Sequence, residues 1–189
     1  MHLKTGFTNA LLALCALTAF TACNAMADDS PGVLTTIPAL DVPRYMGTWY
    51  EIAKYPNWFQ KKCISHTRAD YSLQPDGKVR VFNRCTTKEG AVSEAIGEAR
   101  QMGGSTSAKL EVRFAPAWLA FVPMVWGNYW VVDLDPAYQV VAVSEPKRDY
   151  LWVLSRTPDV PAKAYDELVA RLEKKGFDSR KLERTPQGK

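Results

Sequence analysis

Arg44-Tyr45-Met46-Gly47-Thr48-Trp49-Tyr50-Glu51-Ile52-Ala53 is the stretch from which the rest of the chain can be read. Gly47 permits a sharp turn or the close approach of other atoms to the backbone. Trp49 follows two residues later, and Tyr50, Ile52 and Tyr55 continue in residue types that favour strands. The stretch predicts a buried tryptophan at the start of a β-strand.

Working outward, eight segments carry strand signatures, at about 48–55, 66–73, 78–85, 92–101, 108–114, 128–134, 138–144 and 150–156. Pro75-Asp76-Gly77 and Gly103-Gly104 supply turns between them. The third segment alternates, with Lys78, Arg80 and Arg84 on one face and Val79, Val81 and Asn83 on the other. The fourth sets Glu94, Glu98 and Arg100 against Ala95, Gly97 and Ala99; the fifth sets Lys109, Glu111 and Arg113 against Leu110, Val112 and Phe114. Short strands with turns at near-regular spacing predict an all-β antiparallel barrel or sandwich. Small inward residues on the fourth strand leave room inside, and an eight-stranded barrel is about wide enough for one small ligand. One helix follows, opened by Asp159 and Pro161, with Tyr165, Leu168, Val169 and Leu172 on one face and Lys174-Lys175-Gly176 at its end. Residues 177–182 are expected to add a short ninth strand.

The 189 residues, 47% of them hydrophobic, suit one domain with a real core behind a removable leader. His2 and Lys4 precede an apolar run over 10–22 and then small residues, the pattern of an export signal. Phe20-Thr21-Ala22-Cys23 reads as a lipoprotein cleavage site, making 1–23 the signal and Cys23 the lipid attachment point; Ala25-Met26-Ala27 is the competing site and would release a soluble chain. Asn24 after the cysteine points to the outer membrane rather than inner-membrane retention. Residues 24–40 read as a flexible linker and 41–186 as the domain. Two cysteines outlast the leader, Cys63 and Cys85. In an oxidising compartment they are expected to pair, the alternative being two buried free thiols. Plain hairpin register sets Cys85 opposite about Thr67, so a bridge requires the loop to fold back.

Several chemistries are excluded or poorly served. A net charge of +4 with no zinc-finger spacing, phosphate loop or basic stripe argues against nucleic acid. Beyond the leader the only histidine is His66, so a multi-histidine metal site cannot form and no cofactor is expected. There is no G-x-S-x-G elbow, and Glu51 is expected as a core partner of Arg156 rather than a catalyst.

Three segments then carry a resemblance: Gly47-x-Trp49-Tyr50, Asp135-Pro136-Ala137-Tyr138, and Arg156 at the end of Tyr150-Leu151-Trp152-Val153-Leu154-Ser155-Arg156. In this order they resemble the signatures of the lipocalin family, and most of all its bacterial, plant temperature-induced and apolipoprotein D branches. The resemblance implies an eight-stranded antiparallel up-and-down β-barrel with a C-terminal α-helix on its outside. It implies that Gly47, Trp49, Asp135, Tyr138 and Arg156 close the barrel floor, with the guanidinium stacked on the indole.

With Trp49 and Arg156 inward, alternation places Ala53, Tyr55, Trp152 and Leu154 on the inner face. Tyr71, Val81, Asn83, Ala95 and Gly97 join them from the next strands, and Val112, Phe114, Tyr129, Val131 and Val141 from those after. This predicts an apolar, aromatic cavity for a fatty acid or lysophospholipid, stored or carried for envelope maintenance at the periplasmic side of the outer membrane. The alternatives are another apolar ligand (a tetrapyrrole, pigment or sterol) or, less favoured, an enzyme on the same fold. Residues 114–132 lack any charge, and Trp118, Leu119, Phe121, Val122 and Trp126 are expected to meet a bilayer or a partner at the open end. The bland reading is a lid over the barrel, and a homodimer through this loop is a further option. Trp58, Phe59, Lys61, Lys62, Lys147 and Arg148 are expected at the same rim.

Overall fold

The computed structural model describes residues 1–2 and 32–188. The leader and Cys23 lie outside the described residues. Within them the order is α1 (Val42–Tyr45), β1 (Gly47–Lys54), β2 (Cys63–Leu73), β3 (Val79–Thr87), β4 (Val92–Gln101), β5 (Lys109–Arg113), β6 (Gly127–Leu134), β7 (Val140–Ser144), β8 (Leu151–Ser155), α2 (Ala162–Lys174) and β9 (Glu183–Arg184). Strands β2 to β8 pair antiparallel in sequence order, β8 pairs with β1, and β1 returns to β2. This is a closed eight-stranded up-and-down barrel, with β9 added beside β1.

Two apolar clusters account for the alternation. One fills the barrel and includes Trp49, Ala69, Tyr71, Val81, Leu110, Val131, Val141 and Leu154. The other lies between the outside of the barrel and α2, where Leu168, Leu172 and Phe177 cover Ile52, Ala53, Val132, Ala142 and Val153. The helix spacing read from the sequence is thus explained by a sheet to pack on. Arg171 adds a paired contact through two bonds of 2.9 and 3.0 Å to Asp133.

Several expectations are corrected. The final strand is Glu183–Arg184, and residues 179–181 form a 3-10 turn instead. Of the expected linker, residues 24–31 lie outside the described residues, and the rest packs on the barrel: Leu34 and Leu40 are buried, and Ile37 and Leu40 donate backbone bonds to Val131 and Thr106. Ala53 and Tyr55 do not face the lumen. A bulge between Glu51 and Ala53 shifts the register on β8, so that Ala53 lies opposite Val153 and both residues turn toward α2. One extra residue reverses every later side chain, and residue types alone do not reveal it.

Bulges also settle the cysteines. Register shifts between Cys63 and Ser65 and between Ser65 and Arg68 carry Cys63 opposite Thr87. Its Cα then lies 5.5 Å from that of Cys85, and the two are joined in a disulfide.

Candidate ligand-binding site

The barrel floor is assembled from all three sequence motifs. Trp49 is fully buried, and its indole N–H donates to the Tyr45 carbonyl at 2.8 Å. The Arg156 guanidinium lies 3.9 Å from the ring centroid and donates to the carbonyls of Thr48, Arg44 and Tyr138. Gly47 has φ of 98°, and a Cβ there would sit 3.2 Å from the guanidinium, so a side chain is opposed on both counts. Asp135 accepts from the N–H groups of Ala137, Gln139 and Val140 and so fixes its turn. The Tyr138 hydroxyl accepts from the Asp41 N–H at 3.1 Å, and the Arg44 guanidinium stacks on its ring. The floor is built by chain segments about a hundred residues apart, joined by short polar contacts and two guanidinium-on-ring stacks.

Above it the wall opens unevenly. Val131, Val141, Val143 and Trp49 are sealed, and Val81 and Leu154 are buried beside them. Asn83, Gly97, Val112, Tyr129 and Trp152 are half-buried, and Ala95, which shares the inner face through its pairing with Asn83, is exposed. Access to the lumen therefore runs along β3, β4 and β5. The space expected at Gly97 is occupied by a ring: a Cβ there would meet Phe114 at 2.8 Å.

The opposite side of the mouth is polar, against the apolar wall expected. Glu51 is buried but does not meet Arg156. Its carboxylate accepts from Lys54 at 2.9 Å, from Gln60 at 2.9 Å and from the Thr185 hydroxyl at 2.6 Å. Gln60 in turn accepts from the Trp152 indole N–H at 2.9 Å. Phe59 packs on Tyr150 and Trp152 with centroids 5.5 and 6.2 Å away. A groove of about 350 Å³ at this rim is lined by residues that include Lys54, Asn57, Gln60 and Lys61. The reading of the sequence did not find this network, since Lys54 reaches it only through the bulge and Thr185 comes from the far end of the chain.

The loop between β5 and β6 forms two 3-10 turns, Ala117–Leu119 and Pro123–Val125. Trp118, Phe121 and Met124 are 72%, 80% and 92% exposed. Trp118 lies on the first turn, Met124 on the second and Phe121 between them, so the loop carries an exposed apolar crest. Leu119 and Val122 are half-buried. Trp126 does not join the crest: its ring lies over Arg100 and Arg113 at 4.1 and 5.2 Å, and its N–H donates to the Ala120 carbonyl. It fastens the loop to the outer wall. Met124 was missed, although its spacing from Trp118 and Phe121 was there to be read.

A family model for a lipocalin-like domain matches residues 40–187. The chain belongs to the lipocalin family. Temperature-induced lipocalin-1 of Arabidopsis thaliana is 41% identical over 157 residues, covering 82% of this chain and 83% of that one. The outer membrane lipoprotein Blc of Escherichia coli (strain K12) is 37% identical over 153 residues, covering 80% and 82%. Apolipoprotein D of Mus musculus is 34% identical over 154 residues, covering 78% and 77%. Among solved structures, apocrustacyanin C1 superposes with a TM-score of 0.62 at 13% identity, over 79% of this lipocalin and 81% of that chain, which speaks to fold alone.

Proposed function

We propose that this lipocalin binds a fatty acid or lysophospholipid and stores or carries it for maintenance of a bacterial envelope. The observation that carries the reading is the asymmetric mouth: an inner wall open and apolar along β3 to β5, facing a rim that holds Lys54 and Lys61. An acyl chain gains about 0.8 kcal/mol for each CH₂ it buries. A carboxylate or phosphate left at the rim meets the Lys61 ammonium, while Lys54 and the Gln60 amide stay bound to Glu51. The Blc relatives, outer membrane lipoproteins by name, support an outer-membrane placement here, through lipid on Cys23 and facing the periplasm.

The crest of Trp118, Phe121 and Met124 supports a second part of the reading, that the mouth is presented to the bilayer. Aromatic and thioether side chains suit the interfacial zone, and Lys61, Lys62 and Lys147 at the same end suit anionic head groups. Lipid would then enter without crossing water.

Purification under mild conditions from the native envelope, followed by solvent extraction and mass spectrometry, tests the proposal. A fatty acid or lysophospholipid at about one per protein is the expected result. A pigment or sterol at that ratio refutes the acyl-chain reading. So does an extract that is repeatedly empty from a protein that fails to take up a fluorescent fatty acid.

A further inference from the structure

Deep in the lumen, the hydroxyls of Tyr45, Tyr71 and Tyr129 form one cluster. Tyr129 Oη lies 2.8 Å from Tyr45 Oη and 3.1 Å from Tyr71 Oη. None of the three has another hydrogen-bond partner among the described residues. The cluster holds three protons and two hydrogen bonds, and each bond uses one proton. Whichever way the hydroxyls turn, one O–H is left unspent. Burial pushes the Tyr71 phenol up to about 12 and the other two well above their ordinary value, so all three protons stay in place near neutral pH.

Asn83 stands one inward step nearer the mouth. Val81 is the cross-strand partner of Tyr71, and Asn83 is two residues further along the same face. Such diagonal neighbours lie about 7–8 Å apart. The Asn83 carboxamide makes no hydrogen bond among the described residues, and its Oδ1 is sealed from water. The apolar residues of this wall include Ala69, Val81, Leu110 and Val112, and the Thr67 hydroxyl, two residues from Ala69 on β2, is likewise buried and unpaired. Tyr129 and Asn83 are both half-buried residues of a lumen that opens along this side.

We propose that the inner wall is built to receive a hydroxyl carried on the buried part of an acyl chain, accepting from the tyrosine cluster and donating to Asn83. One oxygen with a donor and an acceptor answers both unspent groups. A plain methylene chain laid across them leaves both desolvated and unpaired, which is the costly arrangement. The ligand class is a mid-chain hydroxylated fatty acid, or a lysophospholipid bearing one. The inference rests on the acyl-chain reading given above and narrows it.

Competition of stearate and a set of positional hydroxystearates against a fluorescent fatty acid, on the protein freed of its leader, tests it. One isomer, or two adjacent ones, should bind about tenfold tighter than stearate, the discrimination typical of a site whose buried polar groups find a matched partner. Asn83→Leu should reduce this preference to about twofold. Tyr71→Phe should keep the preference, because two protons and one bond still leave one O–H unspent, whereas replacing all three tyrosines by phenylalanine should abolish it. Thermal melts establish that each variant folds. Stearate binding with no isomer preferred overturns this inference and spares the carrier reading. Binding of neither overturns both.

Discussion

Glu51 is a residue whose loss this structure makes costly. Its side chain is 3% exposed, and that of Lys54 is 12% exposed. Glu51→Leu would remove the acceptor from the Lys54 ammonium, the Gln60 amide and the Thr185 hydroxyl together. Breaking a buried ion pair from one side costs about 3–5 kcal/mol, because the remaining charge is stranded. Lys54 keeps some access to the rim and recovers part of its hydration, which favours the low end, about 3 kcal/mol. The orphaned amide and hydroxyl add roughly 1 kcal/mol between them. The expected loss is therefore about 3–4 kcal/mol, a large fraction of the 5–15 kcal/mol available to a domain. Glu51→Leu/Lys54→Met removes both charges and should return to within about 2 kcal/mol of the parent. Urea unfolding of the protein beginning at Asp28, followed by circular dichroism with the m-value held constant, reads all three. A single Glu51→Leu variant within about 1 kcal/mol of the parent would refute the reasoning, as would a double variant no better than the single.

Three further outcomes follow from other parts of the molecule. Replacing Cys63 and Cys85 by alanine should cost about 3 kcal/mol in the chain-entropy account of a loop this long, seen as a lower melting temperature. Alkaline titration should weaken the fold. The Tyr71 phenol titrates at about 12 when folded and near 10 when unfolded, so its contribution is complete below about pH 10 and falls away as pH rises toward 12, by about 2–3 kcal/mol; Tyr71→Phe should flatten that limb in unfolding measured against pH. Trp118→Asp with Phe121→Asp should abolish binding of the leaderless protein to anionic vesicles in a flotation assay while leaving its melting temperature little changed, because both side chains are already in water; undiminished flotation would remove the crest from the membrane reading.

What was legible in the sequence was whatever depends on local spacing. Alternation over 78–85 and 92–101 gave the inner face of β3 and β4, because those strands run in unbroken register from Val79 opposite Ala99 to Thr86 opposite Val92. The floor was legible through the resemblance, because the segments holding Gly47 and Trp49, Asp135 and Tyr138, and Arg156 follow one another in the order of the lipocalin signatures. The failures lie where register breaks. Ala53 and Tyr55 fell on the wrong face through the bulge after Glu51, and the same bulge hid the pairing of Glu51 with Lys54. Counting apolar residues grouped Trp126 with Trp118, but Trp126 folds back onto Arg100 and Arg113 of β4 and β5, and no local pattern shows where a loop residue folds back.

The C-terminal residues belong to the barrel wall rather than to its surroundings. Strand β1 pairs with β2 only from Gly47 to Tyr50, whose partner is Arg68. Beyond that point β2 diverges through its bulges, and the edge of β1 would face solvent unpaired. Instead Ala53 and Lys54 pair with β9, and the Thr185 N–H donates to the Ile52 carbonyl. Gln187 bridges the gap, donating to the carbonyls of Glu51 on one strand and Thr67 on the other. The His66 N–H completes the seam by donating to Pro186. Backbone groups that the bulges release from one ladder are thus taken up by another, which is why the bulges can exist without orphaned donors. The bulges that bring Cys63 to Cys85 and Lys54 to Glu51 therefore depend on the last residues of the chain, so the mouth of this lipocalin is shaped jointly by β1, β2 and a tail more than a hundred residues away.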